Sequence, residues 1–227
     1  MKRTYVVPLA LMLLAGIAVA SPLCEDGGGL DSYIANYNGI GNACQIGDKL
    51  FYNFSVSNSI DPTSVVILPD PGDGITNPGL AFSSGSFSVD PGESLDGTIQ
   101  YSVATMSGSA VIEDYSLSIA VGNYDTFAAG TAVVTETFTN PVGTSLTTSF
   151  GPYAATNPTA HIAFSPFING TTVTTRIQLF DPASSTDSVE TSYIQEHFSE
   201  QLPEPGVTLL IGSGLLLLGF RRKTVIC

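Results

Sequence analysis

Two histidines, three cysteines and a few paired carboxylates are the residues of this 227-residue chain whose types could do chemistry. His161 and His197 each lack a second ligand type at metal-site spacing, and His161 alternates with Ala160 and Ile162 as a strand residue facing solvent or a hydrogen-bond partner would. There is no Gly-x-Ser-x-Gly nucleophile elbow, no His-Glu-x-x-His zinc helix, no phosphate-binding glycine loop and no Cys-x-x-Cys pair. Glu113 with Asp114, and Asp70 with Asp73, are carboxylate pairs of the kind glycosidases use. Neighbours on a strand point to opposite faces, so Glu113 and Asp114 are expected apart. Asp70 and Asp73 belong to a turn, where Asp bonds its own backbone. Such acidic loops offer hard oxygen ligands and leave room for weak calcium binding, without the spacing of a helical-hand calcium loop. Asn53-Phe54-Ser55 and Asn169-Gly170-Thr171 match the glycosylation sequon, the first inside an expected strand. The reading is a non-enzymatic chain with no catalytic residues, metal or cofactor.

The elements around these residues are strands. Leu50, Tyr52, Phe54 and Val56 alternate with Phe51, Asn53 and Ser55. Ile99, Tyr101 and Val103, then Tyr115, Leu117, Ile119 and Val121, then Val173, Thr175, Ile177 and Leu179 repeat the period of two that marks strands with one face buried. Between them stand the turn clusters at 69–74, 90–93, 140–143 and 169–170, where proline presets φ and glycine takes the positive φ. Residues 21–202 hold 44 Ser and Thr, which favours pleated backbone over long helices. An all-β antiparallel sandwich over 21–182, Ig-like or jelly-roll-like, follows, with Phe54, Phe82, Phe87, Tyr101, Phe138 and Phe164 inside. A β-helix competes, but no fixed short repeat is visible. From 183 to 202 the pattern loosens into a last strand or short helix around Val189 to Phe198, then a linker.

Charge is divided unevenly. Residues 21–202 carry nineteen acids against Lys49 and Arg176, a net charge of −17. A surface of that sign repels nucleic acid and anionic lipid over a Debye length of about 8 Å, which argues against nucleic acid as a partner. Cys24 and Cys44 are expected to pair on the oxidising side of a membrane, closing a loop around Gly27-Gly28-Gly29, while Cys227 lies apart.

Both ends read as addresses. Lys2 and Arg3 precede an apolar stretch that closes on Ala18-Val19-Ala20, the plan of a signal peptide over 1–20 cut by signal peptidase after Ala20. Leu23 before Cys24 is too bulky for a lipoprotein site. At the other end Pro203-Glu204-Pro205 precedes an apolar run over 206–220 and then Arg221-Arg222-Lys223. As a helix the run covers about 22 Å against a hydrocarbon core of about 30 Å, so it spans only with thinning or snorkelling, and the basic stop sets the body outside.

These three parts, in this order and spacing over 203–227, resemble the PEP-CTERM sorting tail of exported bacterial proteins. The resemblance implies recognition by an exosortase-type transpeptidase acting near Pro203-Glu204-Pro205. It also implies a transient inner-membrane tether through the C-terminal transmembrane helix and delivery to the cell surface or extracellular matrix, often among exopolysaccharide. It implies nothing about the body. The segment Cys44-Gln45-Ile46-Gly47-Asp48-Lys49-Leu50-Phe51 is similar to stretches near the start of some β-rich proteins with this tail.

The expectation is therefore an exported, non-enzymatic surface or matrix protein. The alternative is a carbohydrate-binding or adhesive module, assisted by calcium, with Tyr33, Tyr37, Tyr124 or Tyr153 as stacking platforms in a chain without Trp. A hydrolase would need His161 and two carboxylates in one cleft.

Overall fold

A computed structural model describes residues 21–57, 59–72, 77–106, 111–120, 130–151, 158–184 and 188–201. The expected signal peptide over 1–20 with Ala18 and Ala20, and the expected tail over 203–227 with its helix over 206–220, lie outside the described residues. Among the described residues no helix is long and apolar enough to cross a membrane.

The strands are β1 (Gly28–Gly29), β2 (Cys44–Ile46), β3 (Lys49–Val56), β4 (Val66–Asp70), β5 (Gly79–Ser83), β6 (Ser88–Val89) and β7 (Ser94–Thr105). They continue as β8 (Val111–Ala120), β9 (Thr131–Phe138), β10 (Thr144–Phe150), β11 (Thr159–Ile168), β12 (Gly170–Phe180), β13 (Val189–Glu190) and β14 (Tyr193–Gln201). One short helix, α1 (Leu30–Asn36), follows β1. One sheet, the front sheet, runs β10-β9-β12-β7-β3-β2, and the back sheet runs β1-β4-β5-β14-β8-β11. β6 and β13 form a two-stranded patch. All these strand pairs are antiparallel.

The alternation visible in the sequence decides what each sheet turns inward. On β7, Ile99, Tyr101 and Val103 are buried, and on β12 Val173, Thr175, Ile177 and Leu179 are buried. The two sheets meet through aromatic rings: Tyr101 and Phe51 of the front sheet lie 6.4 Å and 6.0 Å from Phe198 of the back sheet, and Tyr115 lies 4.9 Å from Phe138. Edge-to-face geometry dominates these contacts, as ring quadrupoles favour. All six aromatic residues expected inside, Phe54, Phe82, Phe87, Tyr101, Phe138 and Phe164, are buried. Tyr33, expected as an exposed platform, is instead fully buried, because α1 turns it onto Phe54 and Tyr37. Its hydroxyl donates to the Glu25 carbonyl at 2.6 Å, so the ring is sunk with its polar tip satisfied.

Asn53 carries a φ of 56°, where β3 slips register against β7 between Tyr52 and Ser55. Asn tolerates that region because its short amide bonds locally, and here Asn53 Oδ1 accepts from Gly39 N–H at 2.7 Å. The first sequon thus sits on a bulge whose amide is already engaged.

The segment before α1 closes one side of the sandwich. Cys24 and Cys44 form a disulfide with Cα atoms 4.7 Å apart, Cys24 N–H donates to Gln45 O on the front sheet, and Gly27 N–H donates to Ile67 O on the back sheet. Leu30 and Tyr33 then plug the core between them. Closing a loop of this size contributes about 3 kcal/mol through the unfolded state. Replacing both Cys24 and Cys44 with Ser is therefore expected to lower unfolding stability by about 3 kcal/mol. An unchanged urea midpoint and slope would show that the segment docks without the crosslink.

Candidate functional site

The outward positions of β7, β9 and β12 form the front face. On β12 these are Thr172, Thr174, Arg176, Gln178 and Phe180, and opposite them on β7 stand Ser102, Gln100, Thr98, Asp96 and Ser94. Cross-strand pairs organise this surface: Ser102 with Thr172 at 3.0 Å, Gln100 donating to Thr174 at 2.9 Å, and Thr135 with Thr147 at 3.2 Å. Arg176 lies diagonal to Asp96 and holds it with two hydrogen bonds, Nε to Oδ1 at 2.9 Å and Nη2 to Oδ2 at 2.5 Å. The Arg176 hydrogen bond keeps the Asp96 carboxyl below the usual carboxylate range, and Asp96 in turn raises the guanidinium. At the end of this face is an open depression of about 380 Å³ lined by Asp96, Gln178, Thr131, Val133, Ser94 and Phe180, with Leu95 and Leu179 beneath. Phe180 is 54% exposed, a large apolar ring beside paired polar groups. Sequence reasoning missed this group, although parity carried the signal: Phe180 falls on the outward count of β12 while Leu179 falls inward.

The back face holds both histidines in one row. Asp70 on β4 is opposite Gly79 on β5, Gly79 opposite His197 on β14, His197 opposite Ser116 on β8, and Ser116 opposite His161 on β11. Asp70 reaches over β5 to His197 at 3.0 Å and accepts from Gln195 at 2.5 Å. Gly79 makes that reach open, since a Cβ there would lie 2.7 Å from the His197 ring. Burial alone would raise the Asp70 pKa, but hydrogen bonds from Gly72 N–H, His197 and Gln195 outweigh it and the net shift is downward. His161 pairs with Asp114 at 3.2 Å on open surface, its side chain 58% exposed. Among the described residues no group of three or more His, Cys, Asp or Glu is arranged to hold a metal.

Glu113 and Asp114 depart from the expected opposite faces. Register against β14 steps from Asp114–Ser199 to Ile112–Glu200, so Glu113 is the extra residue of a β-bulge. Ile112 and Tyr115 are both buried, leaving both acids half-exposed between them.

A carboxylate pair that no motif in the sequence singles out lies between the sheets. Glu136 of β9 and Glu196 of β14 are completely buried, and Thr175 of β12 touches both, at 3.0 Å to Glu136 Oε2 and 2.9 Å to Glu196 Oε1. Tyr101 donates to Glu196 Oε2. One hydroxyl hydrogen cannot serve two acceptors, so at least one carboxyl must bring its own proton. Burial, then the neighbouring Glu196 charge, pushes Glu136 well above the carboxylate range, which makes it the protonated member. Burial also raises Glu196, against hydrogen bonds from Tyr101 and Thr175 that favour its charge. Glu136 Oε1 and Tyr115 Oη are buried without a hydrogen-bond partner, and a proton on Glu136 gives the first of these something to donate. The clue in the sequence was parity again: Glu136 follows Ala132 and Val134 on inward positions, and Glu196 stands between Ile194 and Phe198.

No family model and no curated protein matches the chain. Among solved structures it is similar to the carbohydrate-binding module TmCBM61, solved with β-1,4-galactotriose, at 9% identity and a TM-score of 0.29, covering 67% of this chain and 88% of that one. It is also similar to a family 11 carbohydrate-binding module from Clostridium thermocellum, solved with a β-1,3-1,4-mixed-linked tetrasaccharide, at 12% identity and a TM-score of 0.23, covering 70% and 89%. A third is a structure of carbohydrate-binding modules of the β-sandwich superfamily, at 10% identity and a TM-score of 0.25, covering 80% and 64%. At these TM-scores the overlap says nothing of what this chain binds.

Because the folded-state pKa of Glu136 lies above its ordinary 4.5, its contribution is full below about pH 4.5 and is lost as pH rises through the folded value. Glu136→Gln keeps a neutral donor there, so the variant is expected to gain on the wild type steadily as pH rises from about 4.5. Urea midpoints measured for both proteins across that range test this, and a constant difference at every pH contradicts a buried proton.

Proposed function

We propose that this chain is an exported, non-enzymatic surface or matrix protein, sorted through residues 203–227, whose front face binds a neutral glycan. The observation that carries the binding reading is the depression on that face, where the exposed Phe180 ring stands beside Asp96, Gln178 and Thr131. A sugar ring presents an apolar C–H face and a rim of hydroxyls, so it is recognised by an aromatic surface flanked by side chains that both donate and accept. Phe180 supplies the first and the Asp96–Arg176–Gln178 group the second, with the Asp96 carboxylate fixed by its ion pair before any ligand arrives. Preorganisation of this kind lowers the cost of ordering on binding.

Charge selects the ligand class. The body is strongly acidic, yet Asp96 is balanced by Arg176. An uncharged polysaccharide meets no repulsion at that spot, whereas a polyanion must cross the field of the whole body. The sorting reading rests on the order of Pro203-Glu204-Pro205, apolar run and Arg221-Arg222-Lys223, and places an exosortase-type transpeptidase and exopolysaccharide among the partners.

A glycan array probed with the full-length protein is expected to return neutral oligosaccharides, and Phe180→Ala to weaken the best of them about tenfold, the loss of roughly 1.4 kcal/mol of stacking. Binding that survives Phe180→Ala and Asp96→Ala unchanged would move the site elsewhere, and an empty array would leave a structural coat protein. For the address, deleting 203–227 is expected to shift the protein from the cell surface to the periplasm or medium. Unchanged localisation of the truncated chain would overturn the sorting reading.

A further inference from the structure

Where β7 begins and β12 ends, beside the depression, a carboxylate is buried with nothing to hold it. Asp181 is fully buried, and neither of its carboxylate oxygens has a hydrogen-bond partner. The turn Asp90-Pro91-Gly92-Glu93 faces it: Glu93 N–H donates to Asp90 O at 2.9 Å, and Gly92 holds a φ of 89°, the second central position of a type II turn. Gly92 N–H donates to Asp181 O at 2.9 Å and Asp181 N–H donates to Glu93 O at 3.1 Å. Gly92 and Glu93 together thus oppose Asp181 in a glycine bulge, one step beyond the Ser94–Phe180 pair. Glu93, on the exposed side of this bulge, turns its carboxylate back on its own turn, Oε2 accepting from Asp90 N–H at 3.3 Å. Pro182 further restricts the Asp181 backbone to extended conformations.

Among the described residues no side-chain cation is placed against Asp181. Among the described residues Lys49 is buried beside Asp48, Arg176 is committed to Asp96, and the two histidines pair with Asp70 and Asp114. Leaving both oxygens of a buried carboxylate without a partner is costly, and a hard cation from solvent would supply what the surrounding side chains do not. We propose that Asp181, with Glu93 and carbonyl oxygens of the 90–93 turn, binds a calcium ion at this end of the sandwich. The donors are all hard oxygens, and a turn supplying part of the shell suits the larger, more tolerant Ca²⁺ over Mg²⁺. With two carboxylates and the remaining positions filled by carbonyls and water, affinity falls in the range of roughly 0.1–1 mM found for extracellular modules. The ion would brace Ser94 and Phe180, the next residues on the two strands, and hence the end of the depression. The glycan reading does not depend on it.

The test is thermal unfolding of the full-length protein in excess EDTA and in about 5 mM calcium, with magnesium as control. Calcium is expected to raise the midpoint by about 2–4 °C and magnesium by less. Asp181→Asn is expected to abolish the calcium shift and, in EDTA, to melt at or above the wild type, since it removes a carboxylate whose two oxygens have no partner. Glu93→Gln guards against a folding defect in that variant, and calorimetric titration should show it binding calcium about tenfold more weakly. Asp70→Asn, in the other acidic turn, should keep the full shift. No calcium shift in the wild type, or a shift that survives Asp181→Asn, overturns the proposal.

Discussion

Everything described depends on the pairing of β7 with β12, which runs without a slip through eleven consecutive pairs from Ala104–Gly170 to Ser94–Phe180. Side chains alternate strictly along both strands, so this single register assigns every residue at once. It sends Tyr101, Val173, Thr175 and Ile177 into the core and Asp96, Gln100, Gln178 and Phe180 to the front face. A displacement by one residue would bury Asp96 and Arg176 and expose the aromatic core. The flanking pairing of β12 with β9 inherits the same parity, whereas that of β7 with β3 changes it at the Asn53 bulge, so Phe51 faces inward before it and Phe54 after it.

Inside that frame the Glu136–Thr175–Glu196–Tyr101 group does something that apolar packing cannot. Hydrophobic contacts between sheets tolerate sliding, since one leucine is much like another to its neighbour. Thr175 touches both carboxyls within hydrogen-bond distance, and that is satisfied at one relative placement of the sheets. The cost is two desolvated acids, held neutral in part by a retained proton. Around this knot Phe51, Tyr115, Phe138 and Phe198 are buried in edge-to-face contacts.

How much of this could be read from the chain differs by the range of the interaction. Local chemistry was legible: the Pro-Gly turns, the period-two runs of β7, β8 and β12 and the buried aromatic set all follow from neighbours in sequence. On β3, by contrast, the Asn53 bulge breaks the expected Leu50, Tyr52, Phe54, Val56 alternation and buries Phe51 and Lys49 instead. What was not legible arises between strands far apart in the chain. Glu136 and Glu196 are ordinary strand residues until two sheets face each other, and Asp70 meets His197 across 127 residues because Gly79 leaves the way clear. Tyr33 looked like a surface platform because its exposure depended on where a seven-residue helix would land. Glu113 and Asp114 were assigned to opposite faces by a rule that one inserted residue suspends.

The place where the chain leaves the described fold has a mechanical meaning. β14 ends at Gln201 as an interior strand, flanked by β5 on one side and β8 on the other. A pull transmitted through residue 202 would run along the strand axis and load both hydrogen-bond ladders in shear, many bonds sharing the force together. A strand at the sheet edge, peeled from its end, would surrender them one by one. The architecture therefore meets a pull from that side with an interior strand, not an edge strand.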